Sequence, residues 1–458
     1  MKKKITLLVL FIAFQMNAQC WQMVSSGRNH SLGIKSDGTL WAWGRNVEGQ
    51  LGTGNTTNQS LPIQVGTATN WRFVNAGFDT SFAIKTDGTL WAWGFNEFAR
   101  IGDGTETNRL SPIQIGTDNR WVSVDSRNHT VAIKTDGTLW TWGFNSTGQK
   151  GDGTQSNTVY MTTPVQVGTD TNWQTACARS DGTLAIKTDG TLWSWGHNSN
   201  GQLGLGHYGT RLVPNQVGTD TDWQKIAAGG WHSLAIKTNG TLWAWGKKDM
   251  GQVGDGTTAL TGGQTSPLQI GTATDWNAIS ASRSHSIAIK TGGTLWSWGE
   301  NTNGQLGDGT NVARTSPVQV GNTTNWLTPS TKGYTSFALK NDGNLSACGL
   351  NTSGQLGDGT IVNKNTPTAI ACPVALSTED FSATTFSVYP NPSRDFLNIK
   401  NNMNLSIDTI SIMDLTGKKV LEQKGTNSPV NVQPLANGIY MIQITSEGRS
   451  FQNKFIKS

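Results

Sequence analysis

The sequence predicts an all-β chain: a seven-bladed β-propeller followed by a small C-terminal β-sandwich domain. Three observations carry this. Self-comparison returns a period of 49 to 53 residues, and periods of that size mean solenoids or propellers. Nineteen of the 20 tryptophans fall into register with that period, and only Trp231 does not. Gly is abundant (55 of 458 residues) while charged residues make up only 14 %. Gly and Thr are poor helix formers whereas Trp, Thr and Val favour strands, which excludes a helical bundle. The many aromatics and small net charge of +5 exclude a charge-driven disordered chain.

Residues 1–18 read as a signal peptide. Lys2, Lys3 and Lys4 precede a ten-residue apolar run, Ile5 to Phe14, too short to span a bilayer, and Ala18 offers a cleavage point. Removal lowers the net charge to +2 and leaves no other segment long and apolar enough to cross a membrane. The mature protein is therefore expected to be soluble and exported.

Residues 19–373 hold the repeats. A first Trp recurs at 21, 71, 121, 173, 223, 276 and 326, and DGTLWAWG at Asp37–Gly44 returns with Trp pairs at 91/93, 140/142, 193/195, 243/245 and 296/298. The seventh copy puts Ser346 and Cys348 in the pair positions. Each repeat then carries a Gly-rich loop and a Pro. In the first unit strands are expected at Trp21–Ser25, His30–Lys35, Leu40–Trp43 and Ile63–Val65, with an Asp-Gly hairpin turn at Asp37-Gly38. Pro62 suits the first position of the fourth strand. Four strands repeated seven times is a propeller, whose closed ring protects strand edges. A buried Trp removes roughly 150–250 Å² from water, on the order of 4–6 kcal/mol before entropy costs. Recurrence in every blade makes packing between blades the simplest role for the tryptophans.

The pattern GxxHSxAxK…DGTLWxWGxNxxGQLGxG…PxxV resembles the repeat of the regulator-of-chromosome-condensation family, also called tubulin-suppressor-like repeats, over Trp21 to Ala371. The resemblance implies a seven-bladed propeller whose ring is closed by pairing strands from the two ends. The family's eukaryotic founder is a nucleotide-exchange factor that docks on chromatin. That activity is not carried over, because the shared motifs are the blade-forming ones. Secreted propellers of similar design that inhibit β-lactamases imply an extracellular protein-binding platform.

Residues 374–385 read as a Ser/Thr-rich linker and 386–458 as a separate domain. Tyr389-Pro390-Asn391-Pro392, then Asp414-Leu415-Thr416-Gly417-Lys418-Lys419-Val420, then Leu435-Ala436-Asn437-Gly438-Ile439-Tyr440 resemble the C-terminal sorting domain of the type IX (Por) secretion system of the Bacteroidetes. The resemblance implies type IX secretion machinery as a partner, passage through the periplasm, and release or display at the outer cell surface.

Candidate chemistry is sparse. His30, His129, His232 and His285 share one repeat position, which Thr80, Gly182 and Thr335 fill elsewhere. One histidine per blade fits packing better than ligands converging within about 2 Å of a metal. Gly204–Gly209 matches GxGxxG, but no helix follows to bind phosphate. The seven equivalent lysines at 35, 85, 134, 187, 237, 290 and 340 have an Asp two residues later in five repeats. Residues 19–380 carry 24 Lys+Arg and 25 Asp+Glu, the wrong balance for nucleic acid. No catalytic pair, cofactor or metal site is expected.

In repeat phase Cys20 aligns with Asn70 and Cys372 with Thr67, so closing the ring brings them within reach of a disulfide, which export would favour. Cys177 and Cys348 read as buried unpaired thiols. Binding is expected where blades differ. The residue after Trp-Gly varies (Arg45, Phe95, Phe144, His197, Lys247), two longer loops add Tyr160, Met161 and Leu260, and the fourth loop carries His207, Tyr208 and Arg211. Aromatics and Arg are common interface anchors. The reading is a secreted or surface propeller that binds a protein or mediates adhesion. Glycan binding is the alternative, and polysaccharide cleavage a third, weaker one.

Overall fold

The computed structural model describes residues 20–373, 386–401, 406–414, 419–425, 429–446 and 449–458. The expected signal peptide, the linker and residues 415–418 of the second sorting motif lie outside them. Two compact units divide at Pro373–Val374. Apart from one 3-10 turn, Glu97–Ala99, all regular elements among the described residues are strands.

The first blade is β1 (Trp21–Ser26), β2 (His30–Lys35), β3 (Leu40–Gly44) and β4 (Gln59–Gln64), hydrogen-bonded in that order. The other six repeat it, and first strands of adjacent blades lie side by side around the axis. The fourth strand starts earlier than its pattern indicates, so Pro62 sits inside β4 rather than at its head. It is tolerated because β4 is an outer edge, where a missing N–H breaks no ladder. A bulge follows the first Trp in each blade and sets Trp21 opposite Lys35, as Trp71 opposes Lys85.

Blade contacts explain the repeat. Leu40 and Ala42 pack with Trp71 and Trp93 of the next blade, in one of a series of such inter-blade cores. The second Trp of each pair reaches back to the preceding blade. Trp93, Trp195 and Trp245 donate their indole N–H to the carbonyls of Gln50, Gln149 and Gln202 at 2.9 Å. The Gly-rich loop exists to receive that ring. A Cβ at Gly52, whose φ is +74°, would lie 2.7 Å from Trp93 Nε1. Asn46 folds the loop, accepting the Leu51 N–H at 2.8 Å and donating to the Asn55 and Thr57 carbonyls. In the seventh blade Cys348 replaces the indole, its Sγ 3.6 Å from Gln305 O.

Ring closure departs from the expected exchange of terminal strands. The first blade is wholly residues 21–64 and the last is Trp326–Thr331, Thr335–Lys340, Leu345–Gly349 and Lys364–Ile370. The repeats begin at strand one and end at strand four, so no strand is left to exchange. The seam instead uses the joints found between other blades. Trp43 Nε1 donates to Gln355 O at 3.0 Å, and the Trp21 N–H donates to Gly343 O at 3.1 Å. Cys20 and Cys372 are joined by a disulfide across the same seam.

The second unit holds two sheets. One orders Phe386–Tyr389, Phe396–Asn401 and Val430–Asn431; the other orders Lys419–Lys424, Thr409–Met413, Gly438–Ser446 and Arg449–Lys457. Leu397 and Val430 from the first share one core with Ile410, Ile442 and Phe455 from the second, which is sandwich packing.

Candidate functional site

Up-and-down strands send two classes of connection to each end of a propeller. The β1–β2 turns and β3–β4 loops emerge on one face, and the Asp-Gly turns on the other. Each class has a different chemistry here.

On the Asp-Gly face the charges are structural. Lys85, Lys134, Lys187, Lys237 and Lys290 each stand over two indoles, as Lys85 Nζ does at 4.9 Å from Trp71 and 4.2 Å from Trp91. Such a contact is worth about 0.5–2 kcal/mol. Their partners are mostly not the turn aspartates the spacing indicates. Lys134, Lys187, Lys237 and Lys290 pair with Asp118, Asp170, Asp220 and Asp275 at 2.7–2.9 Å. The turn aspartates are engaged locally, as Asp37 is by the Thr39 N–H and hydroxyl; only Lys35 approaches its own turn Asp, at 3.5 Å.

The opposite face holds an axial pocket of about 230 Å³ to which all seven blades contribute. Its lining includes Arg28, Phe78, Trp231, Arg283, Lys332 and Tyr334, with Asn128 and Asp181 between them. Lys332 crosses from the seventh blade, donating to Asp125 Oδ1 at 2.8 Å and to the Ala76 and Ser126 carbonyls at 3.0 Å. Arg127 crosses from the third blade to the Ala228 and Ala281 carbonyls at 3.3 Å. Burial lowers its pKa to about 10 and that of Arg179 to about 9, so both remain cationic at neutral pH. Arg179 occupies the room left by Gly182, where other blades carry His or Thr, and donates to Gln202 O. Burial also raises the carboxyls of Asp79 and Asp181 above their ordinary value.

The residues singled out from loop variability surround this pocket without converging in it. Arg45 bridges to Asp79 at 3.0 Å, and with Arg28, Glu48 and Phe95 lines a second cleft of about 420 Å³. The Arg100 guanidinium lies 5.0 Å from the Phe95 ring. Phe144 and Tyr160 pack on Phe98 at 4.8 and 5.2 Å. Met161 turns inward against the core of blades two and three, because the insertion extends the outer strand to Ser156–Gln166 and places Met161 opposite Gly143. His197 lies edge-on to Trp231 at 5.6 Å. Lys247 pairs with Asp249 at 2.7 Å. His207 and Arg211 bond to each other at 2.8 Å, while Tyr208, half-exposed, donates to Gly263 O at 3.2 Å. Leu260 is 89 % exposed. Met250 in the same loop, and Val47, Val312 and Val362 in the equivalent loops of three other repeats, are exposed as well.

The four repeat histidines bind across blades instead. His30, His129, His232 and His285 meet Ser81, Thr183, Ser286 and Ser336 at 2.8–2.9 Å. Burial lowers each pKa to about 3. Cys177 and Cys348 are free, and burial raises both thiols to about 12.

In the second unit, Asn391 accepts the Ile456 N–H at 2.9 Å and donates to Lys454 O at 3.1 Å, fastening the Tyr389-Pro390-Asn391-Pro392 segment to the last strand. Tyr440 stacks on Phe455 and donates to Ala436 O at 3.0 Å. Gly438 opens its strand, Asp414 follows another, and Gly417 and Lys418 lie outside the described residues.

Comparison with known proteins agrees with both units. Residues 14–330 match the RCC1-like domain, and residues 387–458 match the secretion system C-terminal sorting domain. Human WBSCR16 is similar in fold at 20 % identity and TM-score 0.66, covering 73 % of this chain and 94 % of its own. Yeast RCC1 (Prp20), solved bound to Kap60, is similar at 22 % identity and TM-score 0.60, over 66 % of this chain and 75 % of that one. Among the described residues no helix is long and apolar enough to cross a membrane. The chain belongs to the RCC1-like propeller family and carries a Por secretion C-terminal sorting domain.

Proposed function

We propose that this exported propeller is a protein-binding or adhesive module of the outer cell surface or medium, and that it binds through the face of the β1–β2 turns and β3–β4 loops. The sorting domain supports the address. The observation that carries the binding face is its arc of exposed aliphatic side chains over four adjacent blades, Met250, Leu260, Val312, Val362 and Val47, beside a polar, cationic centre. Apolar groups with polar neighbours on a rigid scaffold are what protein interfaces use. The aromatics of the variable loops are engaged within the protein, as Phe144 and Tyr160 are with Phe98 and Phe95 is under Arg100. That favours the protein reading over the glycan one.

The test is capture from community or host surface extracts by the full chain, with a Val47→Asp/Met250→Asp/Val312→Asp variant beside it. An identified protein whose capture falls at least about tenfold, roughly 1.4 kcal/mol, with an unchanged thermal midpoint is the expected result. Capture of the same protein by both forms would remove this face from the account.

A further inference from the structure

We propose that the axial pocket is a carboxylate-binding site that receives an acidic side chain of the protein partner. This rests on the protein-binding reading above and adds the chemistry at its centre.

Adjacent positions of one turn supply the charge. The β1–β2 turn carries Arg127, Arg179 and Lys332 six residues after the first Trp of their repeats and Arg28 and Arg283 seven residues after it. Five of seven blades therefore contribute a cation, while Phe78 and Trp231 stand in the turns of the other two. Seven-fold geometry brings these turns together at the axis. The carboxylates close to them are Asp125, held by Lys332, Asp79, held by Arg45, and Asp181, which accepts from Asn128 Nδ2 at 3.4 Å. Arg28 comes no closer than 4.0 Å to Asp79. Arg283 has no acidic partner within ion-pair distance among the described residues, and lies 5.9 Å from the Tyr334 ring.

A second observation points to a ligand. Arg127 and Arg179 are fully buried, yet Nε and Nη1 of the first and Nε and Nη2 of the second have no hydrogen-bond partner. Arg127 stands behind the pocket wall, 5.0 Å from the Phe78 ring. The charges of both, opposed near Arg127 only in part by Asp125, stand behind the pocket wall and raise the positive potential that an arriving anion meets.

The walls select among anions. Phe78, Trp231 and Tyr334 offer apolar surface to an aliphatic stem. Asn128 and Asp181 are committed to each other and offer little to sugar hydroxyls. About 230 Å³ is below the ~300–1,000 Å³ of pockets that hold drug-sized ligands, so a single side chain is the fitting occupant.

The experiment titrates the full chain calorimetrically with acetyl-Gly-Glu-Gly-amide, its Gln counterpart and glucuronate. The Glu peptide is expected to bind with a Kd of about 1 mM and the Gln peptide at least about tenfold more weakly. Raising salt should weaken the Glu peptide. An Arg28→Gln/Arg283→Gln variant, altered only at exposed positions, should keep its thermal midpoint and lose at least about tenfold in Kd. Equal binding of Glu and Gln peptides, unchanged binding by the variant, or no saturation by the Glu peptide would overturn the proposal. Glucuronate binding about tenfold tighter than the Glu peptide would make the pocket a sugar site. If the variant loses the Glu peptide but still captures the partner of the aliphatic arc, the protein-binding reading stands and the claim that the pocket receives the partner's side chain falls.

Discussion

Acidification to pH 4.5 is expected to unfold the propeller in a transition set by four histidines. His30, His129, His232 and His285 titrate near 6.5 when unfolded and at about 3 when folded, because burial disfavours the imidazolium. The cations Lys332 and Arg45 near His30, Arg179 near His129, and Arg127, His285 and Arg179 near His232 act the same way; Asp125 opposes burial at His129, outweighing Arg179 there, and Asp249 opposes it at His232. Above pH 6.5 both states are neutral and stability is full. Below it only the unfolded chain takes up protons, so stability falls until about pH 3. Two pH units cost about 3 kcal/mol per histidine and about 10 kcal/mol for four, comparable with the whole stability of a typical domain. Thr is native at this position in two blades, where Thr80 and Thr335 bond to the Phe95 and Leu350 carbonyls. Replacing all four histidines by Thr should lower stability at pH 7 and shift the acid midpoint down by about one unit or more. An unchanged acid midpoint, read by circular dichroism, would remove the histidines as the cause.

Severing Cys20–Cys372 has the second largest expected effect. The bond spans 352 residues, for which the chain-entropy relation gives about 6 kcal/mol, above the ~0–5 kcal/mol measured for disulfides. The seam lacks an exchanged strand, so the covalent link supplies the constraint that strand exchange would have given. A Cys20→Ser/Cys372→Ser chain should therefore lose about 3–5 kcal/mol in urea unfolding. A loss below about 1 kcal/mol would mean that the non-covalent seam suffices.

Blade architecture was legible because it recurs: each Trp, Lys and Gly is written six or seven times, and register alone separates packing from the rest. Three features were not. Met161 looked like a loop residue, but the insertion lengthens a strand, and strand alternation turned it inward. The lysines looked paired to their turn aspartates, but those close the turn through Thr39-type contacts and leave the lysines to the preceding link. The axial pocket is not legible residue by residue, because Arg28, Arg127, Arg179, Trp231, Arg283 and Lys332 differ in type and fall at three neighbouring positions of the β1–β2 turn. The available signal is that this one turn carries a cation in five of seven repeats. Only closing the ring places such positions within one cavity.

The central claim is that partners engage the face of the β1–β2 turns and β3–β4 loops. Hydrogen exchange of the full chain with and without a captured partner tests it most directly. Protection is predicted in residues 27–30, 46–58, 247–262 and 332–335 on that face, with the Asp-Gly turns at 36–39 and 86–89 unchanged. Protection confined to the Asp-Gly turns or to the outer strands, with the loop face exchanging as in the free protein, would contradict it.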